Sequence, residues 1–444
     1  MLLKKINKAY WYIGILLYVF FLYKNIEASK YLYMHIVSFI SFLLFGIFLS
    51  NSFKREASFF TKKNLVFAVL IASFIQVVML SLLSYSIDGD LFLFSKIDSI
   101  IYFSESIKMR EMSFSESLKY LSQKHSFDDW GAFIWFSTIF RIFPSLIFVK
   151  LIHIIVGAWS AILLFGIACY FMPRRYAYIV ALTFSMASFS AVFHTVVLKE
   201  SLFVFLIIAA FHTFYRFWDS RKMIHLIMAF LLAASIAFFR LPVAILLIFS
   251  LSITITILYL KGIASVILGV CLSTLVITSS YFAITYERYL RSGNVELMMQ
   301  RKEELSKGGG MINHAVDPLA AFMGPFPSIA VKHIGKTSLY APGLLYRLLL
   351  AAPFLLGVYY VFRLRHKKLY PLVIFFLINA LGVAVSVKGL EFRITYPHLA
   401  MAYIVAFWWL AQYDYKQLQL KLPPNVIYAW FIVVLALSFI WNLR

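Results

Sequence analysis

Apolar residues come in long runs along nearly the whole chain, separated by short polar breaks. Each run approaches the roughly 20 residues that carry a helix across about 30 Å of hydrocarbon. Taken in order, the runs fall near residues 10–23, 31–50, 65–86, 146–171, 177–193, 201–217, 224–239, 243–260, 264–281, 344–362, 371–387, 395–411 and 426–441. The pattern predicts an all-α polytopic membrane protein, with about 13 transmembrane helices packed in one bundle. Residues 1–444 then form a single transmembrane domain with two longer polar segments, residues 87–130 and 283–340.

The polar breaks orient this bundle. Lys54-Arg55 with Lys62-Lys63, Pro173-Arg174-Arg175, Arg216 with Arg221-Lys222, and Arg363-Leu364-Arg365-His366-Lys367-Lys368 all fall on one side when the runs alternate. Basic short loops stay in the cytoplasm. The N-terminus, with Lys4, Lys5 and Lys8, shares that side, and the two longer segments lie outside. The first run ends at Phe21-Leu22-Tyr23-Lys24 with no small-residue cleavage site, so it reads as an uncleaved first span. These readings predict a multi-pass protein of a bacterial cytoplasmic (inner) membrane.

Composition agrees: 62% of residues are hydrophobic and 14% charged. The net charge of +22 follows from the basic inner loops and needs no nucleic acid partner. Cys169 and Cys271 sit in apolar runs and read as small core residues, not as a disulfide or metal pair.

Charges of both signs gather at the outer ends, which the basic-loop rule does not explain. Asp88, Asp90 and Asp98 follow the third run; His194, Lys199 and Glu200 sit between the fifth and sixth; Arg240 lies between the seventh and eighth. His314 and Asp317 lie in the second long segment, and Lys388, Glu391 and Arg393 precede the twelfth run. A carboxylate there can take a proton from a hydroxyl. Lys, Arg or a divalent cation can meet a departing phosphate.

Several of these groups have two readings. Asp88-Gly89-Asp90 is spaced either as a metal-binding pair, for Mg or Mn, or as an ordinary polar turn. Lys199-Glu200 is either a site pair or a self-neutralising helix start. Arg240 before Pro242 either binds an anion or reaches for headgroups. Asp128-Asp129 reads as a helix cap. His153 and His212, inside runs, read as hydrogen-bonded packing residues. Gly308–Gly310 lacks the flanking strand and helix of a nucleotide fingerprint. Residues 102–121 carry apolar side chains at helical spacing and suit the membrane interface, and 131–143 reads as a partial helix stopped by Pro144.

The order of these features, over roughly residues 98–411, resembles the C-type multi-spanning glycosyltransferases. The similarity is to bacterial proteins like the dolichyl-phosphate-mannose–protein mannosyltransferases and the lipid A aminoarabinose transferases. It rests on Asp98-Ser99-Ile100-Ile101-Tyr102, Trp130-Gly131-Ala132-Phe133, Pro173-Arg174-Arg175-Tyr176, Leu198-Lys199-Glu200, Arg240-Leu241-Pro242, and Arg393 with Pro397. The chain differs in having two runs before the usual first span, and Ser99 where the family has the second acid of an Asp-Glu pair. The resemblance implies an outward-facing transferase taking a sugar from a polyprenyl-phosphate-linked donor to a cell-envelope glycan or lipid acceptor. Asp98 is then the general base, with Asp90 and Asp88 as alternates or metal ligands. Lys199, Arg240 and Arg393 hold the donor phosphate, and Glu200 and Tyr102 orient the site. Two other functions use a similar inventory: a lipid-linked polysaccharide polymerase or ligase, and a lipid-linked glycan flippase. The near-absence of charge within the runs disfavours the flippase.

Overall fold

The computed structural model describes residues 2–93, 95, 97–259, 322–323, 326–330, 336–385, 392–415 and 423–443. The expected span at 264–281, Cys271, Gly308–Gly310, His314, Asp317, Lys388, Glu391 and most of the second long segment lie outside them.

The described residues are helical, with no strand among them. Eight helices are long and apolar enough to cross a membrane, or nine if one bent pair counts as a span. The chain is thus a polytopic α-helical membrane protein. Helices α1 (Leu2–Ile26), α2 (Ser29–Ser52) and α3 (Lys62–Asp88) come first. Helices α4 (Asp98–Met109), α5 (Phe114–Lys124) and α6 (Trp130–Ile142) follow, and α7 (Leu146–Ala168) returns across the bundle. The bent pair is α8 (Arg174–Met186) with α9 (Ser188–Thr195). Then come α10 (Glu200–Ser220), α11 (Met223–Ser235) and α12 (Ala237–Tyr259). The last four are α13 (Ala341–Arg363), α14 (Tyr370–Val385), α15 (Phe392–Asp414) and α16 (Pro424–Leu443). Of the thirteen apolar runs, the one at α11 gives a helix of only 13 residues.

Local chemistry sets the ends. Thr61 accepts the Asn64 N–H to cap α3, and Gly89, at φ +71°, ends it with its N–H on the Tyr85 carbonyl. Ser113 and Glu116 form a reciprocal capping box that separates α5 from α4. Pro144 follows α6, as expected.

The break between α8 and α9 was not expected, since the fifth run was read as one helix. Ala187 leaves the helical region there (φ −58°, ψ 142°). Backbone carbonyls freed inside a membrane bundle need donors. Gln76 Nε2 donates to the Met186 carbonyl at 3.2 Å, and Ser190 Oγ donates to that of Phe184 at 2.6 Å. His194 consequently lies within α9, where its ring closes on Gly157; a Cβ on that glycine would meet the ring at 2.5 Å. His153 is buried beside Phe136 with the His194 backbone against its ring, the packing position expected. Cys169 is exposed at the end of α7, not in the core.

Helix α15 is the axis of the bundle. Its residues from Thr395 to Ala411 are buried, and it packs against α8, α10, α13 and α14. Asp414 anchors its far end, accepting the Leu2 N–H at 2.6 Å and the Tyr176 hydroxyl at 2.7 Å.

The turn between α3 and α4 is held from below. Lys150, on α7 and buried, donates to Ser81 Oγ at 2.8 Å and to the Leu91 carbonyl at 2.9 Å. Leu93 is buried with φ +48°, a conformation costly for a branched side chain, and its N–H bonds Ser84 Oγ at 2.8 Å. Replacing Lys150 by Met removes both bonds and leaves the half-buried Leu91 carbonyl without this donor. The expected outcome is a loss of about 1–3 kcal/mol, read as a lower thermal midpoint in detergent.

Candidate functional site

Three helices begin at one corner of the bundle, α4 at Asp98, α6 just after Asp129 and α10 at Glu200, and Arg393 of α15 meets them there. Helix N-termini carry partial positive charge, so Asp98 and Glu200 are well placed there. Arg393 is held by carboxylates. Its Nη1 donates to Asp98 Oδ2 at 2.5 Å, and its Nε lies 2.7 Å from Glu200 Oε1. The second contact is close but poorly aligned as a hydrogen bond, so it acts as a charge contact. The sequence separation of 295 residues between Asp98 and Arg393 closes the corner.

Exposure separates the two acids. Glu200 is completely buried, whereas the Asp98 side chain is 42% exposed. Glu200 therefore fixes Arg393 from behind, and Asp98 faces the approach.

A second charge pair adjoins the first. Lys199, only 5% exposed, donates to Asp129 Oδ1 and, at 2.9 Å, to the Asp128 carbonyl. The Tyr102 hydroxyl donates to the same Asp129 oxygen at 2.6 Å. Tyr102 also lies within electrostatic reach of Glu200 and Arg393, which links the two pairs. Its phenol is pushed well above the ordinary value, first by burial and then by the Asp129 charge, so it remains a donor.

Asp129 corrects the capping expectation. It occupies the position before α6, yet its side chain makes no cap bond. A cap contributes about 1 kcal/mol. An unpaired buried ammonium costs several times that. Lys199 therefore takes the carboxylate. Burial raises the Asp129 carboxyl, but the Lys199 charge and the bonds from Lys199, Tyr102 and Ser126 outweigh it and hold the group below the usual carboxylate range. Asp128 accepts instead from Ser126 Oγ at 2.5 Å.

Arg240 reaches the same corner by a backbone break. Pro242 cannot donate within α12. At Arg240 the chain adopts φ −163°, ψ 92°, and the guanidinium lies over the Phe203 ring, 5.7 Å from its centre. Phe203 is one turn into α10 from Lys199. The α6 start docks on this break through Gly131, where a Cβ would meet the Phe239 ring at 2.7 Å and the Phe238 carbonyl at 3.0 Å. Arg240 has no carboxylate partner among the described residues.

Asp98, Tyr102, Lys199, Glu200, Arg240 and Arg393 are thus gathered, and Asp129 joins them. Asp90 is not among them. Its Oδ1 accepts the Phe92 N–H at 2.9 Å and Ser84 Oγ at 3.4 Å, which is the polar-turn arrangement. Asp88 is the last residue of α3. Among the described residues no group of three or more His, Cys, Asp or Glu is arranged to hold a metal ion. Lys150, which the sequence reading passed over, supports the Asp90 turn from α7.

The Lys199–Asp129 pair gives a pH test. The depressed Asp129 value means its stabilisation is present above the unfolded value of about 3.9 and is lost as pH falls through the folded one. Asp129→Asn is expected to cost about 2–3 kcal/mol at pH 7, slightly below the range for fully buried pairs because Asp129 is 31% exposed. Thermal midpoints of the two proteins should converge only below about pH 4; convergence between pH 7 and 5 contradicts the pairing.

No protein-family model matches this chain, and no curated protein sequence matches it.

Proposed function

We propose that the chain is a glycosyltransferase that moves a sugar from a polyprenyl-phosphate-linked donor to a cell-envelope glycan or lipid acceptor. It works at the outer face of a bacterial cytoplasmic membrane, with the N-terminus inside and about 13 spans by the apolar pattern. The observation that carries this reading is Arg393 shared between exposed Asp98 and buried Glu200, where the N-termini of α4, α6 and α10 meet.

The chemistry follows from that placement. Asp98 accepts the proton of an acceptor hydroxyl. The oxygen attacks the anomeric carbon as the bond to the phosphate oxygen breaks, and polyprenyl phosphate leaves with the electron pair. The side chains Asp98, Asp129 and Glu200 against Lys199 and Arg393 leave an excess of one negative charge. A phosphate is therefore met by Arg240, which has no acidic partner among the described residues, and by the convergent helix N-termini. Lys199 serves by holding Asp129, and with it the start of α6, rather than by direct contact with phosphate. The donor's apolar tail reaches this corner from the bilayer.

Asp98→Asn is expected to lower kcat by about 100- to 10,000-fold with donor KM little changed. Arg240→Ala should raise donor KM more than it lowers kcat. The assay uses purified protein in detergent with a polyprenyl-phosphate sugar. Full activity of a folded Asp98→Asn protein contradicts the base assignment. A ladder of repeats as product would indicate a polymerase, and no transfer at all with every donor would leave transport as the function.

A further inference from the structure

The opposite end of the bundle holds a different kind of cleft. Helix α3 runs about 39 Å from Lys62 to Asp88, so its first turns lie a membrane thickness away from the Asp98 corner. A cleft of about 270 Å³ opens there between α2, α3 and α8. Asn51, Arg55, Asn64 and Tyr178 line its polar side, and Phe67 and Ile71 line its apolar side.

The polar side holds one cation, Arg55, with five more basic residues in the adjoining segments. The Arg55 guanidinium lies 5.0 Å from the centre of the Phe59 ring, which leaves its N–H edge available. Arg175 is fixed nearby, donating to the Phe53 carbonyl at 2.8 Å and lying over Phe60. Residues 54–63 and 173–176 together hold Lys54, Arg55, Lys62, Lys63, Arg174 and Arg175 against the single acid Glu56, which does not line the cleft. Asn64 Nδ2 is committed to the Phe59 carbonyl at 2.8 Å, so the asparagine is held in place at the mouth.

The apolar side continues down the helix. Phe67, Ile71, Phe74, Val78 and Leu82 are all exposed, with Phe67 at 67% and Leu82 at 65%. Their spacing places them on one face of α3, a stripe about 22 Å long. A leaflet supplies about 15 Å of hydrocarbon, so the stripe can accompany an entire acyl chain.

We propose that this cleft binds an anionic glycerophospholipid, with the headgroup phosphate against Arg55 and the neighbouring basic residues and one acyl chain along Phe67 and Ile71. Charge complementarity selects the anionic headgroup, and the adjoining apolar stripe selects a lipid over free phosphate. The site is independent of the Asp98 corner and of the activity proposed there.

The test uses the full-length protein purified in a neutral detergent. Thermal midpoint is followed while phosphatidylglycerol, phosphatidylcholine or inorganic phosphate is added. A saturable upward shift with phosphatidylglycerol alone is expected. Arg55→Gln should weaken the apparent affinity about fivefold, the effect of removing one basic residue near an anionic lipid. Phe67→Ser should weaken it as well, while a basic residue outside the cleft, Arg221→Gln, should not. Native mass spectrometry provides a readout that does not depend on melting: fewer phosphatidylglycerol molecules should survive on the Arg55→Gln protein than on the wild type. Equal shifts with phosphatidylcholine or inorganic phosphate, or unchanged phosphatidylglycerol retention in the Arg55→Gln protein, would overturn the proposal.

Discussion

A fully buried carboxylate in a membrane protein must be paired, and Glu200 imposes that condition on the rest of the fold. Its partner, Arg393, comes from α15, the most buried helix of the bundle's centre. Neither group is favourable alone. Together, with Asp98 closing the third side, they bind the start of the central helix to α10 and α4. Breaking such a buried pair by removing one partner costs about 3–5 kcal/mol.

The same logic extends outward. Lys199 is next to Glu200 and equally unable to remain unpaired, so it draws in Asp129 and the start of α6. Gly131 then permits α6 to rest against the break at Arg240, and Arg240 is left without an acidic partner among the described residues. At the remote end of the bundle the balance is reversed: basic residues from the loop after α2 and from the starts of α3 and α8 stand with one acid, Glu56, among them. The two ends of the bundle therefore differ in chemistry, mixed charge at one and mostly cations at the other.

Much of this was legible in the sequence because membrane constraints act over whole runs of residues. Counting apolar runs and placing basic loops on one side brought Asp98, Lys199, Glu200, Arg240 and Arg393 to a common end, although they are scattered over 295 positions. What was not legible depended on contacts between distant segments. Asp129 has the form of a helix cap, and only the approach of Lys199 from 70 residues away gives it another partner. The bend at Ala187 carries no Pro or Gly; the donors that permit it, Gln76 and Ser190, lie on either side of the bundle contact. Lys150 is one cation in an apolar run, and its role appears only when the Asp90 turn folds over it. Asp88-Gly89-Asp90 drew notice by composition, yet Asp90 spends its carboxylate on its own turn.

The central claim, that Asp98 and Arg393 meet across the bundle, can be tested directly by cross-linking. In a background with Cys169 and Cys271 replaced, Asp98→Cys and Arg393→Cys are introduced together and the membranes are treated with a short thiol cross-linker. Loss of both thiols to maleimide labelling is predicted, with Asp90→Cys and Arg393→Cys retaining theirs. Two free thiols in the first pair under conditions that link a neighbouring control pair would contradict the account.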